Sequence, residues 1–463
     1  MTGTGLALSA VMQRYLTALG ATLILQAPLH ANELDRLYEL ALARDATLQA
    51  ATFERAADIE ARPQALAPLL PQLNASANAG RDRAGFESES LTTNLAASCS
   101  VAADQRMQHC YGNAQQLQLT LSQTIWSYEA FSRLKEASLS AAAAEATLRS
   151  AQQNLVLRVA QAYFAILAAS DQLAANLAER EAFSSLLHQA QVRESTGVGP
   201  RSDAQQAQAF FDATEEAVID ARNALDDAQL ALTQIVGTHA DELIPLREDI
   251  PLASPEPASA EDWVTSAKRD NLDVRAAQLK ADAAERDIAA QRGRGLPTLQ
   301  LVGTSSRLNQ DESLGGNQSL DTVGVAFNWP LFQGGLIASA VRQSRAVYHE
   351  NAALYDAAQR DAERLTRAAF RGVVTGITRV GATQRAVQSG RDAVEAGRRN
   401  VEFGTGTEFD LLNAQNNYYT AVRAYSQSRY DYLTSLLTLK QQAGRLTRAD
   451  LRAVDALLVE RAP

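Results

Sequence analysis

Histidine and cysteine are rare in this sequence, and their scarcity limits the chemistry that the chain can support. Five histidines occur in 463 residues, without the spacing of a metal site. They are His30, His109, His188, His239 and His349. A short serine-lysine match at residues 132–135, "SRLK", lacks the companion motifs of the enzymes that use it. We therefore expect no enzymatic activity, no cofactor and no metal.

Positive charge is also in short supply. The 43 Lys and Arg residues are outnumbered by 53 Asp and Glu residues, which gives a net charge of -10. Because binding to phosphates needs a cationic face, this balance argues against nucleic acid as a partner. Proline, methionine and tryptophan are few, at 12, 3 and 3, whereas Ala, Gln and Leu are abundant. These common residues lose little freedom in a helix, so a mainly α-helical protein is expected.

Long apolar runs are missing beyond the amino end. No later stretch approaches the roughly 20 residues of a membrane-spanning helix. Near the start, Arg14 precedes an apolar run that stops at Ala31, which predicts a signal peptide of residues 1–31, with cleavage after Ala27 as an alternative. No cysteine follows either site, so the mature end cannot carry a lipid on a thiol. We expect an exported chain without a helical membrane anchor.

Segments of the first half of the chain recur in the second half in the same order. The stretch "STGVGPRSDAQQAQ" at 195–208 is matched by "EFGTGTEFDLLNAQ" at 402–415, and "LPQLNASANAGR" at 70–81 is matched by "LPTLQLVGTSSR" at 296–307. Chance similarity between Ala-rich helices is the alternative, but the proline, glycine and aromatic positions agree in order. A tandem duplication is therefore predicted.

The duplication divides the chain into five parts. The signal peptide is followed by a first repeat at 32–240 and, later, by a second repeat at 261–445. A proline-rich, acidic linker at 241–260 joins the repeats, and a C-terminal tail occupies 446–463.

Each repeat has the same predicted order of elements. A helix begins near Leu34 or Trp263 and ends before Pro71 or Pro297, because proline and the residue before it disfavour helix. Two strands follow. A helix of roughly 70 residues then leads to the glycine-marked turn, and a helix of roughly 36 residues returns from it as a coiled-coil partner.

The strands alternate apolar and polar residues, which indicates that the sheet has one apolar face and one solvent-exposed face. Four such segments of about ten residues can cross a membrane when tilted, and only a closed barrel pairs all their edges in lipid. Because four strands cannot close a barrel around a channel, we expect a homotrimer with a twelve-stranded membrane β-barrel. Trp126, Trp329 and Phe332 would then lie at the membrane interface.

Five stretches carry a resemblance to a known family: "ANELDRLYELALARDATLQAA", "LAPLLPQL", "GRGLPTLQL", "WPLFQGG" and "SRYDYLTSLLTLKQQAG". Over residues 31–455 the chain resembles the TolC family of outer membrane efflux proteins. The resemblance implies a trimeric duct with its barrel in outer membrane lipid and a periplasmic α-helical barrel. It also implies a periplasmic membrane-fusion adaptor and an inner membrane ABC or proton-driven transporter as partners, with drugs, toxins or secreted proteins passing outward.

The glycine-marked turns correspond to the periplasmic entrance of that family. Gly197, Gly199, Gly404 and Gly406 would give the backbone the freedom that the two turns need. The resemblance implies that this entrance is closed by polar links between coils and lined by rings of aspartate.

Three polar residues are the candidates for this pore and gate. Asp410 matches a ring aspartate and Asp203 matches an aspartate of the closing network, whereas Asn413 stands where the family has a second ring aspartate. Val401 and Gly406 replace the tyrosine and arginine of that network, so the closing links must differ here. Capping of the returning helices is the alternative role of both aspartates.

The two cysteines, Cys99 and Cys110, lie in the longer strand-connecting loop of the first repeat. Because an exported protein passes through an oxidising compartment, an intrachain disulfide is predicted. A zinc site that uses His109 is the alternative.

Other functions remain open from the sequence. The main competitor is a soluble periplasmic coiled-coil scaffold, in which the strands form an antiparallel sheet capped by helices, and an adhesin-like surface trimer is a third possibility. Within the efflux family, a multidrug pump and a type I secretion system are equally compatible with the sequence. The lack of a lipid-anchoring cysteine slightly favours the secretion-type members by resemblance.

Overall fold

The computed structural model describes residues 33–87, 99–101, 107–239, 243–311, 314 and 316–459, which are mostly α-helical. The helices in these ranges are α1 (Glu33–Arg44), α2 (Ala46–Ile59), α3 (Ala61–Leu66), α4 (Tyr128–Ser195), α5 (Arg201–Val236), α6 (Ala260–Asp270), α7 (Leu272–Gly293), α8 (Leu336–Glu402), α9 (Glu408–Gln442) and α10 (Arg448–Asp455). Within the described ranges, no helix combines the length and apolar character needed to cross a membrane. The predicted signal peptide, residues 1–31, lies outside them.

The single helix predicted at the start of each repeat is wrong, because a side-chain cap interrupts it. Asp45 has an extended backbone (φ -65°, ψ 113°), and its carboxylate accepts a 2.7 Å hydrogen bond from the Leu48 amide. In the second repeat Asn271 is also extended and accepts from the Asp273 and Val274 amides at 2.9 and 3.1 Å. These caps end α1 and α6 and start α2 and α7.

Five antiparallel strands form one sheet: β1 (Gln72–Glu87), β2 (Cys99–Val101), β3 (Met107–Ser127), β4 (Thr298–Gln310) and β5 (Gln318–Asn328). Their order is β1-β3-β4-β5, and the short β2, which was not predicted, pairs with β3. The four main strands have 16, 21, 13 and 11 residues, so β1, β3 and β4 are longer than the predicted ten or so, and β5 is close to that length. The apolar alternation marks only part of each strand, and pairing continues into polar sequence beyond it.

Two long helices separate the sheet from the glycine-marked turns. Helices α4 and α8 have 68 and 67 residues, which is about 100 Å at the usual rise per residue. Helix α4 packs against α5 and α8 packs against α9, and α4 also contacts α9, so the two antiparallel hairpins lie side by side. Each hairpin starts at the sheet and ends at a turn, as the repeat predicts.

The main hydrophobic core lies near the middle of α4. Its fully buried residues come from both repeats and from the C-terminal helix: Leu34, Leu155, Val159, Tyr163, Leu232, Leu439 and Leu451. The Tyr163 hydroxyl donates a 2.7 Å hydrogen bond to the Ile244 carbonyl, and Leu246 forms a β-bridge with Leu458. The linker and the tail therefore pack on this core. The sheet and the turns extend from it in opposite directions.

Candidate functional site

The first turn, between α4 and α5, is built on one carbonyl group. Gly197 has a positive φ of 73°, which favours glycine, and it reverses the chain at the end of α4. The Arg193 carbonyl accepts hydrogen bonds from the amides of Val198 (2.9 Å) and Gly199 (3.0 Å). A Cβ atom at Gly199 would lie 3.0 Å from Cβ of Arg193, so this position also favours the smallest residue.

The second turn, between α8 and α9, repeats this geometry. Gly404 has a φ of 70°, and the Asn400 carbonyl accepts from the amides of Thr405 (2.8 Å) and Gly406 (3.1 Å). A Cβ atom at Gly406 would lie 2.8 Å from Cβ of Asn400. Gly406 therefore fits a turn that is too tight for a side chain at this position.

Asp410 caps the helix that returns from the second turn. The Thr407 amide and hydroxyl donate to Oδ2 of Asp410 at 3.3 and 2.6 Å, and the Thr407 hydroxyl accepts from the Asp410 amide at 3.1 Å. This is a reciprocal capping box. The side-chain hydrogen bond from Thr407, helped by its backbone amide, lowers the pKa of the exposed Asp410 carboxyl, which keeps it ionised.

The other two candidates have different local partners. Asp203 accepts a 3.3 Å hydrogen bond from the Ser202 hydroxyl, and Pro200, the first residue before α5, provides no side-chain cap. The Asn413 amide donates to the Phe409 carbonyl at 2.9 Å. All three candidates lie within about two helical turns of the glycine-marked turns, but these hydrogen bonds stay within each residue's own hairpin.

An ion pair that the sequence does not predict joins the two turns. Nη1 of Arg193, at the end of α4, donates to Oε1 of Glu408, at the start of α9. The Glu408 side chain is 12% exposed and that of Arg193 is 40% exposed. Because the Arg193 carbonyl also organises the first turn, this residue connects the backbone of one turn to the side chain of the other.

Further polar contacts between α4 and α9 lie nearer the core. Arg423 donates to Glu179 and, at 3.1 Å, to Oδ1 of Asn176. Burial raises the pKa of the Glu179 carboxyl, and the hydrogen bond from Arg423 opposes that effect. Farther along, the Tyr430 hydroxyl donates to Asp171 at 2.9 Å. The two hairpins are thus held together by spaced polar contacts along their length.

The predicted interface aromatics lie at the opposite end, where the sheet meets the long helices. Trp126 is the residue before the last of β3 and is 42% exposed. Trp329 lies one residue beyond β5, rather than inside a strand, and is 54% exposed. Phe332 is 88% exposed in the segment that leads to α8. The three rings are therefore accessible at one end of the sheet.

The cysteines lie at the far end of the sheet. In the β2–β3 ladder the backbone of Cys99 is directly opposite Cys110. Cys110 is 2% exposed and disulfide-bonded, so it has no thiolate to offer a zinc ion. Among the residues that the structure describes, no group of three or more His, Cys, Asp or Glu side chains could hold a metal ion.

Two long hairpins with a sheet at one end and paired turns at the other define a class of elongated, duplicated proteins. Residues 37–238 and 263–445 match the family described as outer membrane efflux protein. The chain belongs to this family, and the two matched segments correspond to the two repeats.

Known proteins of this family are similar over most of the chain. Outer membrane protein TolC of Escherichia coli is 29% identical over 448 residues, which are 92% of this chain and 85% of that protein. Alkaline protease secretion protein AprF of Pseudomonas aeruginosa is 30% identical over 428 residues, 91% of this chain and 86% of that protein. The structure of outer membrane protein VceC of Vibrio cholerae shares the fold, with a TM-score of 0.73, 20% identity, and coverage of 89% of this chain and 96% of that one.

Proposed function

We propose that this protein is the outer membrane exit duct of a tripartite export system. A periplasmic adaptor and an inner membrane transporter would deliver substrate to the turns, and the substrate would leave through the sheet end. The observation that carries this proposal is the separation of the sheet from the paired turns by helices of about 100 Å. Such a length suits a protein that crosses the periplasm from the outer membrane.

A trimer is proposed from the edges of the sheet. Within the described residues, β1 pairs only with β3 and β5 pairs only with β4, so the sheet of one chain has two open edges. Unpaired edges are not stable in lipid. Three chains joined β5 to β1 would give twelve main strands in a closed barrel and leave no edge.

A protein substrate is favoured over small drugs. The relatives named for protease secretion, AprF and PrtF, are 30% and 28% identical over about nine tenths of the chain. TtgC, named as a probable efflux pump protein, is 24% identical over 72% of it. We infer a type I secretion role, which a gene deletion would test: secreted proteins should disappear from the medium and return with the plasmid-borne gene. Unchanged secretion together with increased drug sensitivity would instead support the multidrug role.

The turns are proposed as the gate. Three copies of Asp410 around a threefold axis would form an anionic ring, and the capping box does not prevent this because both hydrogen bonds to the carboxylate end on Oδ2. Asn413 would add no second ring. We propose that Asp203 belongs to the network that closes the gate. The Arg193–Glu408 ion pair would supply a polar link between the hairpins, which the side chains of Val401 and Gly406 cannot form.

The disulfide between Cys99 and Cys110 is proposed on the basis of their paired backbone positions. Thiol titration of the unfolded protein without reductant should find no free thiol, and two thiols after reduction. Two free thiols without reductant would refute the disulfide.

Cell fractionation separates the duct from a soluble scaffold. The duct should be found in outer membrane preparations and should need detergent for extraction. A protein found in the soluble periplasmic fraction would favour the scaffold.

A further inference from the structure

The two faces of the sheet can be distinguished by residue number. The register places Leu73 opposite Leu121, Leu121 opposite Gly303, and Gly303 opposite Val323. Directly opposed residues of antiparallel strands share a face. The odd-numbered residues of β1, β4 and β5, and those of β3 before the bulge after Thr124, therefore form one surface, which we call the odd face.

The odd face is apolar in the part of the sheet nearest the long helices. Its residues there include Leu73, Leu119, Leu121, Leu301, Val323, Val325 and Phe327, all of them exposed. The even face of the same strands is polar, with Asn74, Gln118 and Thr304. In the proposed duct the odd face is consequently the one in contact with lipid.

The odd face becomes cationic toward the other end of β1. After Leu73 and three alanines, the next odd residues are Arg81 and Arg83, and both are exposed. The guanidinium of Arg83 lies over the ring of Tyr111, 5.6 Å from its centroid. Asp82, between the two arginines, is on the even face.

A charged pair on the odd face lies nearer the long helices, in register with Leu117 and Leu119 of β3. Arg307 donates to both carboxylate oxygens of Asp321 at 3.0 and 3.2 Å, which forms a neutral pair. Asp311, just beyond β4, bonds through its amide and its carboxylate to the backbone of Asn113, which lies opposite Arg81. Among the odd residues of 73–83, 111–121, 299–311 and 319–327, the charges outside the Arg307–Asp321 pair are those of Arg81, Arg83 and Asp311, with a net charge of one positive unit. This local positive charge contrasts with the net charge of -10 of the chain.

The position of the two arginines corresponds to the membrane surface. The ten residues from Leu73 to Arg83 span about 33 Å, or about 23 Å across a membrane at a tilt of about 45°. That height is close to the apolar band of about 25 Å in outer membrane barrels. Because the helices extend into the periplasm from the opposite end of the sheet, the arginines lie at the outer leaflet.

We propose that Arg81 and Arg83 form a binding surface for the phosphate groups of the phosphorylated glycolipid of the outer leaflet, an inference that rests on the proposed function. Guanidinium groups bind phosphate through paired, charge-assisted hydrogen bonds. Basic residues at a membrane surface add affinity for anionic lipid headgroups. Tyr111 holds the Arg83 guanidinium at the surface through a cation–π contact.

Lipid binding by the purified full-length protein tests this surface. In native mass spectrometry, the wild-type protein should bind diphosphoryl lipid A about tenfold more tightly than dephosphorylated lipid A. The double variant Arg81→Gln/Arg83→Gln should lose this preference. The control Arg345→Gln/Arg371→Gln removes two exposed arginines from α8 and should keep it. Equal preference in wild type and the Arg81/Arg83 variant would overturn the proposal.

Two further measurements distinguish a failure of the lipid-binding proposal from a folding defect and from a failure of the proposed duct. The variant Arg81→Lys/Arg83→Lys keeps both charges and should retain part of the preference, whereas a change in folding would not be rescued by lysine. Wild-type protein should also float with phospholipid vesicles. Failure to float overturns both the duct and the lipid surface, while flotation without a phosphate preference overturns the lipid surface alone.

Discussion

The two turns at the helical end share one backbone geometry but hold their returning helices differently. Helix α5 begins after Pro200 without a side-chain cap, whereas α9 begins with the capping box of Thr407 and Asp410. Duplication has thus kept the glycine geometry that shapes both turns, while the polar side chains have diverged. Of the two, only the second turn is followed by a helix with a side-chain cap.

The first turn has a different support. Arg193 organises its backbone and also pairs with Glu408 in the second hairpin. This pair therefore couples the positions of the two turns, and the second turn has its cap in addition. Changes at the glycines should test the backbone geometry that the two turns share, whereas changes at the cap and at the ion pair should test how the turns differ.

The largest effect is expected from the positive-φ glycines. Gly197→Val and Gly404→Val place a β-branched residue at φ values of 73° and 70°, which should cost about 1–3 kcal/mol of local stability. Hydrogen-exchange mass spectrometry of the full-length protein should show similar losses of protection at both turns. A loss at one turn only would contradict the equivalence of their backbones.

A smaller effect is expected from the cap. Thr407→Ala removes the hydroxyl half of the capping box, while the backbone amide of residue 407 can still donate to Asp410, and it should destabilise the first turn of α9 by about 1 kcal/mol. The matched change Ser202→Ala, in the first turn of α5, should alter exchange little because that helix has no side-chain cap. Equal effects of the two changes would show that the caps do not distinguish the turns.

The smallest effect is expected from the ion pair. Because Arg193 is 40% exposed, its pair with Glu408 should contribute less than about 1 kcal/mol, so Glu408→Gln should raise the opening frequency of single channels a few-fold. Arg193→Gln should act similarly, and the double variant should add little to either change. Additive effects would mean that the two residues act separately.

The long helices and turns could be predicted because glycine, proline and aromatic positions recur at matching places in both repeats. The caps at Asp45 and Asn271 could not be predicted, because an Asp or Asn residue fits a polar position of a continuous helix equally well. Strand β2 has only three residues, too few for a period to appear. The Arg193–Glu408 pair joins residues 215 positions apart, and no local pattern marks such a contact.

The most direct test of the duct and its gate is the ion selectivity of the protein in planar lipid bilayers. Wild-type protein should form cation-selective channels that trivalent cations block, because three ionised Asp410 side chains would attract cations at a constriction. Asp410→Asn should reduce both the selectivity and the block, while Asn413→Asp, which adds a second ring, should strengthen the block. Asp203→Asn should mainly change how often the closed channel opens. If cation selectivity and trivalent block were the same in the wild type and in the Asp410→Asn variant, the role of Asp410 would be limited to capping α9. If the protein formed no channel at all, the proposed duct itself would be contradicted.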